Sequence, residues 1–115
     1  MRLAKKEIKP GVMVLEVTGR FTMGDDCAAL EREVEHHIGQ NEKHLIFDVS
    51  GVNHIDSAAV GQIVKAYTKL TKSGGTLRIA GANGMVQRVL SMTHVNQVIR
   101  VYPTAQEASV DIKPV

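Results

Sequence analysis

One cysteine, no tryptophan, two tyrosines and two phenylalanines stand among 115 residues, and each shortage removes a class of explanation. Cys27 alone cannot form an internal disulfide, and because it opens an apolar series with Leu30, Val34 and Ile38 it reads as a small core residue. So few aromatic rings offer no platform on which bases could stack. The net charge of +2 is too small to argue for direct binding of nucleic acid. No apolar run approaches the roughly 18 residues of a membrane-spanning helix, and the first residues, Met1-Arg2-Leu3-Ala4-Lys5-Lys6, hold no signal core. The chain is therefore expected in the cytoplasm, without membrane insertion.

Catalytic and cofactor signatures are missing as well. His36 and His37 point to different faces of a helix, and neither an HxxxH pair nor a cysteine-rich spacing accompanies His44, His54 and His94, so no metal is expected. Ser73-Gly74-Gly75 and Gly81-Ala82-Asn83-Gly84 are glycine-rich but lack the Gly-Lys-Ser/Thr or GxGxxG that cradles phosphates. They read as a helix stop and a loop entering a helix, and no cofactor is expected. His54 lies three residues before Ser57 and could act as a base for it. A hydrolase, however, would place that serine in a Gly-x-Ser-x-Gly elbow, whereas Ser57 sits between Asp56 and Ala58. The chain is expected not to be an enzyme.

What is present is the pattern of one layered α/β domain over residues 1–115, with 43% hydrophobic residues to build a single core. Residues 3–8 and 12–18 read as strands joined by Pro10-Gly11 into a hairpin. Asp25 or Asp26 can cap a first helix that ends near Gly39. Leu45-Ile46-Phe47-Asp48-Val49 is a short apolar run suited to a strand buried on both faces. Ser50-Gly51 and Asn53 supply turn chemistry after it. Val60, Ile63, Val64, Tyr67 and Leu70 then recur at helical spacing, with Lys65, Lys69 and Lys72 on the other faces, and Gly74-Gly75 marks the end. Alternating strands and helices favour parallel crossovers, giving a mixed, mostly parallel sheet of four to five strands with about four helices.

In such sheets, ligands and partners dock at the carboxyl ends of the strands. The segments Gly19 to Asp26 and Ser50 to Ser57 each follow a strand and should share that edge. Asp56 or Ser57 begins the second helix, and either side chain could cap it, contributing about 1 kcal/mol. A serine hydroxyl there can also be a phosphoacceptor. The phosphate's −1.5 to −2 charges or so would be tolerated by its own helix N-terminus and would act on a partner's surface instead. Arg20, Met23, Asp25, Asp26, Asp56, Ser57, Val60 and Gln62 are the expected contact residues. A tucked-in Phe21 and Met23 with helix-capping acids is the structural alternative.

At these residues the chain resembles the STAS domains, and within them the bacterial anti-anti-sigma factors, or anti-sigma factor antagonists. The resemblance rests on the apolar strand ending in Asp48, on Ile55-Asp56-Ser57, on Gly61 one turn into the helix, and on Gly74-Gly75-Thr76-Leu77-Arg78-Ile79. It extends over nearly the whole chain, through Val14 to Arg20, a third helix at Met85, Val86, Val89 and Leu90, and a last strand and helix at Ile99 to Tyr102 and Thr104 to Ala108. It implies a binding module whose phosphorylated serine is Ser57. Unmodified, such a module binds an anti-sigma factor that is a serine kinase of the histidine-kinase-like ATPase type and frees a sigma factor; phosphorylated, it is released, and a phosphatase resets it. The family's commonest pattern reads Asp-Ser-Ser-Gly-Leu-Gly, whereas here Asp56-Ser57-Ala58-Ala59-Val60-Gly61 keeps the acceptor and the last glycine but not the second serine or first glycine. Alanine favours helix over glycine by roughly 1 kcal/mol, so this helix start is expected to be stiffer than the family's usual one. The family also includes scaffold and lipid-transport subunits, which implies as the alternative an adaptor insensitive to Ser57. Self-association through an exposed sheet edge stays open.

Overall fold

Gly11, at φ +80°, closes the Pro10-Gly11 turn and folds the chain's first two strands into an antiparallel hairpin. The computed structural model describes residues 1–113. In chain order they form β1 (Arg2–Lys9), β2 (Val12–Phe21), α1 (Asp25–Gly39), β3 (His44–Ile55), α2 (Ser57–Lys72), β4 (Thr76–Ala80), α3 (Gly84–Met92), a 3-10 turn (Val95–Gln97), β5 (Val101–Tyr102) and α4 (Ala105–Ser109). The strands make one sheet in the order β1-β2-β3-β4-β5, with β2 to β5 all parallel. This is the mixed, mostly parallel α/β sheet that the alternating pattern predicts.

Alternation along the strands divides the apolar residues between two faces. Leu15, Phe47, Val49, Leu77 and Ile79 meet Leu30 and Val34 of α1, Ile63 and Leu70 of α2, and Val86 and Leu90 of α3 in the larger core. Val12, Val14, Ile46 and Ala80 turn the other way and are covered by Ala105 and Ala108 of α4 with Ile112. Helices α1 and α2 pack side by side, and Lys69 binds Glu31 at 3.1 Å and Glu35 at 2.6 Å across their seam. Those pairs are at the surface and contribute little.

Two strands run further than their sequence predicts, and both differences shape the site. β3 was expected to end at Val49 and turn at Ser50-Gly51, but it continues to Ile55. Parallel pairing to β2 holds the extra residues, with register shifts between Glu16 and Thr18 and between Gly19 and Arg20, at each of which β3 carries one residue more than β2. The turn chemistry of Ser50 is spent locally instead: its N–H and hydroxyl both donate to Asp48 Oδ1, at 3.0 and 2.7 Å. β2 likewise includes Gly19, Arg20 and Phe21, which leaves only Thr22 to Gly24 between it and α1.

Candidate functional site

The carboxyl ends of β2 and β3 lie side by side, with Phe21 paired to Ile55, so the segments that follow them share one edge. Asp56 sits at their junction. Its backbone is extended, at φ −112° and ψ 176°, and its Oδ1 accepts from the Ala59 N–H at 2.9 Å, which caps α2. Its Oδ2 accepts from the Met23 N–H at 3.0 Å and pins the short segment after β2 to the helix start. These bonds, the Met23 one foremost, hold the Asp56 carboxyl below its ordinary pKa, so it is ionised at neutral pH.

A second carboxylate fixes the same segment from inside. Asp26 Oδ2 accepts from the Thr22 N–H at 3.0 Å and from the Thr22 hydroxyl at 3.2 Å, and the Thr22 N–H above all lowers its pKa. The Cys27 thiol donates to the Thr22 carbonyl oxygen at 3.4 Å, and partial burial pushes that thiol's pKa up, as suits an inert residue. Neither Asp25 nor Asp26 caps α1. Gly24 stands at the cap, at φ +89°, a conformation glycine adopts without strain, and no side chain replaces it. Thr22 is the residue that sequence reasoning missed. A threonine four positions before an aspartate at a strand-to-helix junction is the signal that could have found it.

With the cap filled by Asp56, Ser57 is the first residue of α2 and is exposed. Capping, an alternative role for Ser57 in the sequence, is therefore done by its neighbour, and no protein hydrogen bond among the described residues engages its hydroxyl. Around it, Ala58, Gly61 and Asp25 are exposed, Gln62 is half-buried, and Met23 is 70% exposed rather than tucked under the sheet. Arg20 is exposed near the end of β2, in register with His54. Val60 is a correction. Expected on the contact surface, it is 6% exposed and packs in the larger core, because the turn of helix that presents Ser57 and Gly61 outward directs Ala59, Val60 and Ile63 inward. Among the described residues no cluster of metal-binding side chains occurs, and no helix is long and apolar enough to cross a membrane.

A mostly parallel sheet with a hairpin at one edge and helices packed on both faces is the fold of a STAS domain. The family model for that domain matches residues 4–108, and the chain belongs to the STAS family. A Thermotoga maritima protein assigned as an anti-sigma factor antagonist is 33% identical over 75 residues, which make up 65% of this chain and 65% of that protein. The crystal structure of an assigned anti-sigma factor antagonist from the same organism superposes with a TM-score of 0.87 at 23% identity, covering 96% of this chain and 93% of the other. The anti-sigma factor antagonist SpoIIAA matches in its unphosphorylated form, with TM-score 0.74, 14% identity, and 96% of each chain covered. The Bacillus protein's phosphorylated form matches with TM-score 0.76 and 13% identity, over 97% of this chain and 100% of that one. At such identities the structural likenesses establish the fold.

Proposed function

We propose that this chain is an anti-sigma factor antagonist that acts by binding, without catalysis of its own, and is switched by phosphorylation of Ser57. Unmodified, it docks through the edge that carries Met23, Asp25, Ser57 and Gln62 onto an anti-sigma factor, a cytoplasmic serine kinase of the histidine-kinase-like ATPase type, and a sigma factor is freed. The kinase supplies the ATP site, and a phosphatase returns the chain to its binding form.

One observation carries this reading: the Ser57 hydroxyl stands exposed at the first position of α2, beside a cap that Asp56 already fills. A phosphate there finds the partial positive charge of the helix N-terminus, so the fold itself tolerates it. At an interface the same dianion must be desolvated next to ionised Asp56 and near Asp25. A thousandfold loss of affinity needs only about 4 kcal/mol, within reach of an unpaired buried dianion.

The test is a quantitative pull-down from native cytosol with wild-type, Ser57→Ala and Ser57→Asp baits, reading the phosphorylation state of the wild-type bait in the same run. An ATPase-type anti-sigma factor held by the alanine bait and lost from the aspartate bait is the expected result. Recovery of that partner equally by both baits, or of scaffold or transporter subunits alone, would overturn the switch and leave a constitutive adaptor.

A further inference from the structure

At the opposite end of the sheet from Ser57, a groove of about 350 Å³ opens between the last turns of α2, the start of β4 and the segment leading into β5. β5 pairs only with Ile79 and Ala80, so β4 from Thr76 to Arg78 has no strand partner on that side, and its open edge forms the groove's floor. The walls combine Tyr67 and Thr71 of α2 with Val98 and Arg100.

The charge around the groove is unbalanced. The Arg78 guanidinium donates to the Ala108 carbonyl oxygen at 2.9 Å, pairs with Asp111 and stacks 5.5 Å from the centre of the Tyr102 ring. Arg100 lines the groove, and no carboxylate stands among the residues that line it. Both guanidiniums belong to lining residues, and Asp111 pairs with Arg78 alone among the described residues. Arg78 is committed to that carboxylate, and Arg100, which is exposed, carries the surplus positive charge.

We infer that this groove binds a small phosphorylated organic anion, its phosphate on Arg100 and the Thr71 hydroxyl and its organic part on Tyr67 and Val98. The volume falls within the range of small-molecule sites, and a wall that is part hydroxyl and guanidinium, part apolar, matches a phosphomonoester better than a bare ion. Val98, which is 57% exposed, supplies apolar wall on which such an organic group would rest. The groove lies about 20 Å from Ser57 along the axis of α2, so this site stands apart from the switch proposed above.

The test is a titration of the ¹⁵N-labelled chain at constant ionic strength with phenyl phosphate, and in separate arms with inorganic phosphate and with phenol. Phenyl phosphate should shift the amides of Gly75, Thr76, Leu77, Val98 and Arg100 saturably, inorganic phosphate should do so at least tenfold more weakly, and phenol should leave them in place. Arg100→Ala should lower the affinity for phenyl phosphate at least tenfold with the rest of the spectrum native; Arg100→Gln serves equally if the alanine variant folds poorly. Absence of saturable shifts, or binding that survives the loss of Arg100, would overturn the proposal. Equal affinity for inorganic phosphate would overturn its organic half, and equal shifts with phenol its anionic half.

Discussion

The Met23 N–H donates to Asp56 Oδ2 at 3.0 Å, joining two residues 33 positions apart. The other oxygen of the same carboxylate caps α2 through Ala59, so one side chain sets both the helix start and the position of the segment beside it. Asp56→Ala is expected to free both amides. Hydrogen exchange at Met23 and Ala59 should accelerate together, and the melting temperature should fall by about 5 °C. Asp56→Asn, which keeps one acceptor oxygen, should release only one of the two amides.

Acid should act on the same link. Asp26 and Asp56 both have folded pKa values below the ordinary 3.8, the first because of the Thr22 N–H and the second because of the Met23 N–H. A carboxyl depressed on folding contributes stability that is complete above its unfolded pKa and lost as pH falls through the folded value. Urea midpoints should therefore stay level for these two groups from neutral pH down to about 5, then drop below about 4. In Asp56→Asn the drop should be shallower.

Val60 and Gln62 separate folding from binding. Val60→Ala removes two methyl groups from the larger core and should cost about 2 kcal/mol, read as a lower urea midpoint at unchanged slope. Gln62→Ala should alter stability by less than about 0.5 kcal/mol while weakening capture of the partner. If Val60→Ala alone weakened capture at full stability, the assignment of Val60 to the core would be wrong.

Gly75 and Gly61 should respond to alanine in opposite ways. A Cβ on Gly75 would stand 2.1 Å from the Lys43 carbonyl oxygen, and backbone cannot step aside as a side chain can, so Gly75→Ala should cost about 3 kcal/mol or prevent folding. At Gly61 a Cβ meets nothing within 4 Å, and alanine should stabilise α2 by up to about 1 kcal/mol. A gain in stability accompanied by a loss of partner binding would show that Gly61 is a point of close approach.

The sequence made the sheet, its helices and the Ser57 edge legible because each was written in local periodicity or turn chemistry. Ile63 and Leu70 announced α2, and Gly74-Gly75 announced its end. β3 beyond Val49 was not legible, since Gly51 and Asn53 favour a turn in isolation and only pairing with β2 keeps them extended. The wiring of Asp26 to Thr22 and of Asp56 to Met23 was hidden for a related reason. Both acids suit helix caps locally, and what they bind depends on how two strand ends come together. Val60 was misjudged because its helical stripe can be extended by small residues: Ala59 and Ala66 are buried, which turns the apolar face toward them and leaves Val64 at the rim.

Both ends of α2 are closed. Asp56 holds the first turn, and at the other end Gly75 N–H donates to the Leu70 carbonyl oxygen at 2.8 Å and Gly74 N–H to that of Thr71 at 3.1 Å. A helix stapled at each terminus does not fray, so Ser57 is displayed in a fixed shape rather than in a flexible stretch. Under the proposed switch, the modifying enzyme has to read the folded surface, and a short synthetic peptide with the same residues around Ser57 would be a poor substitute for the whole domain.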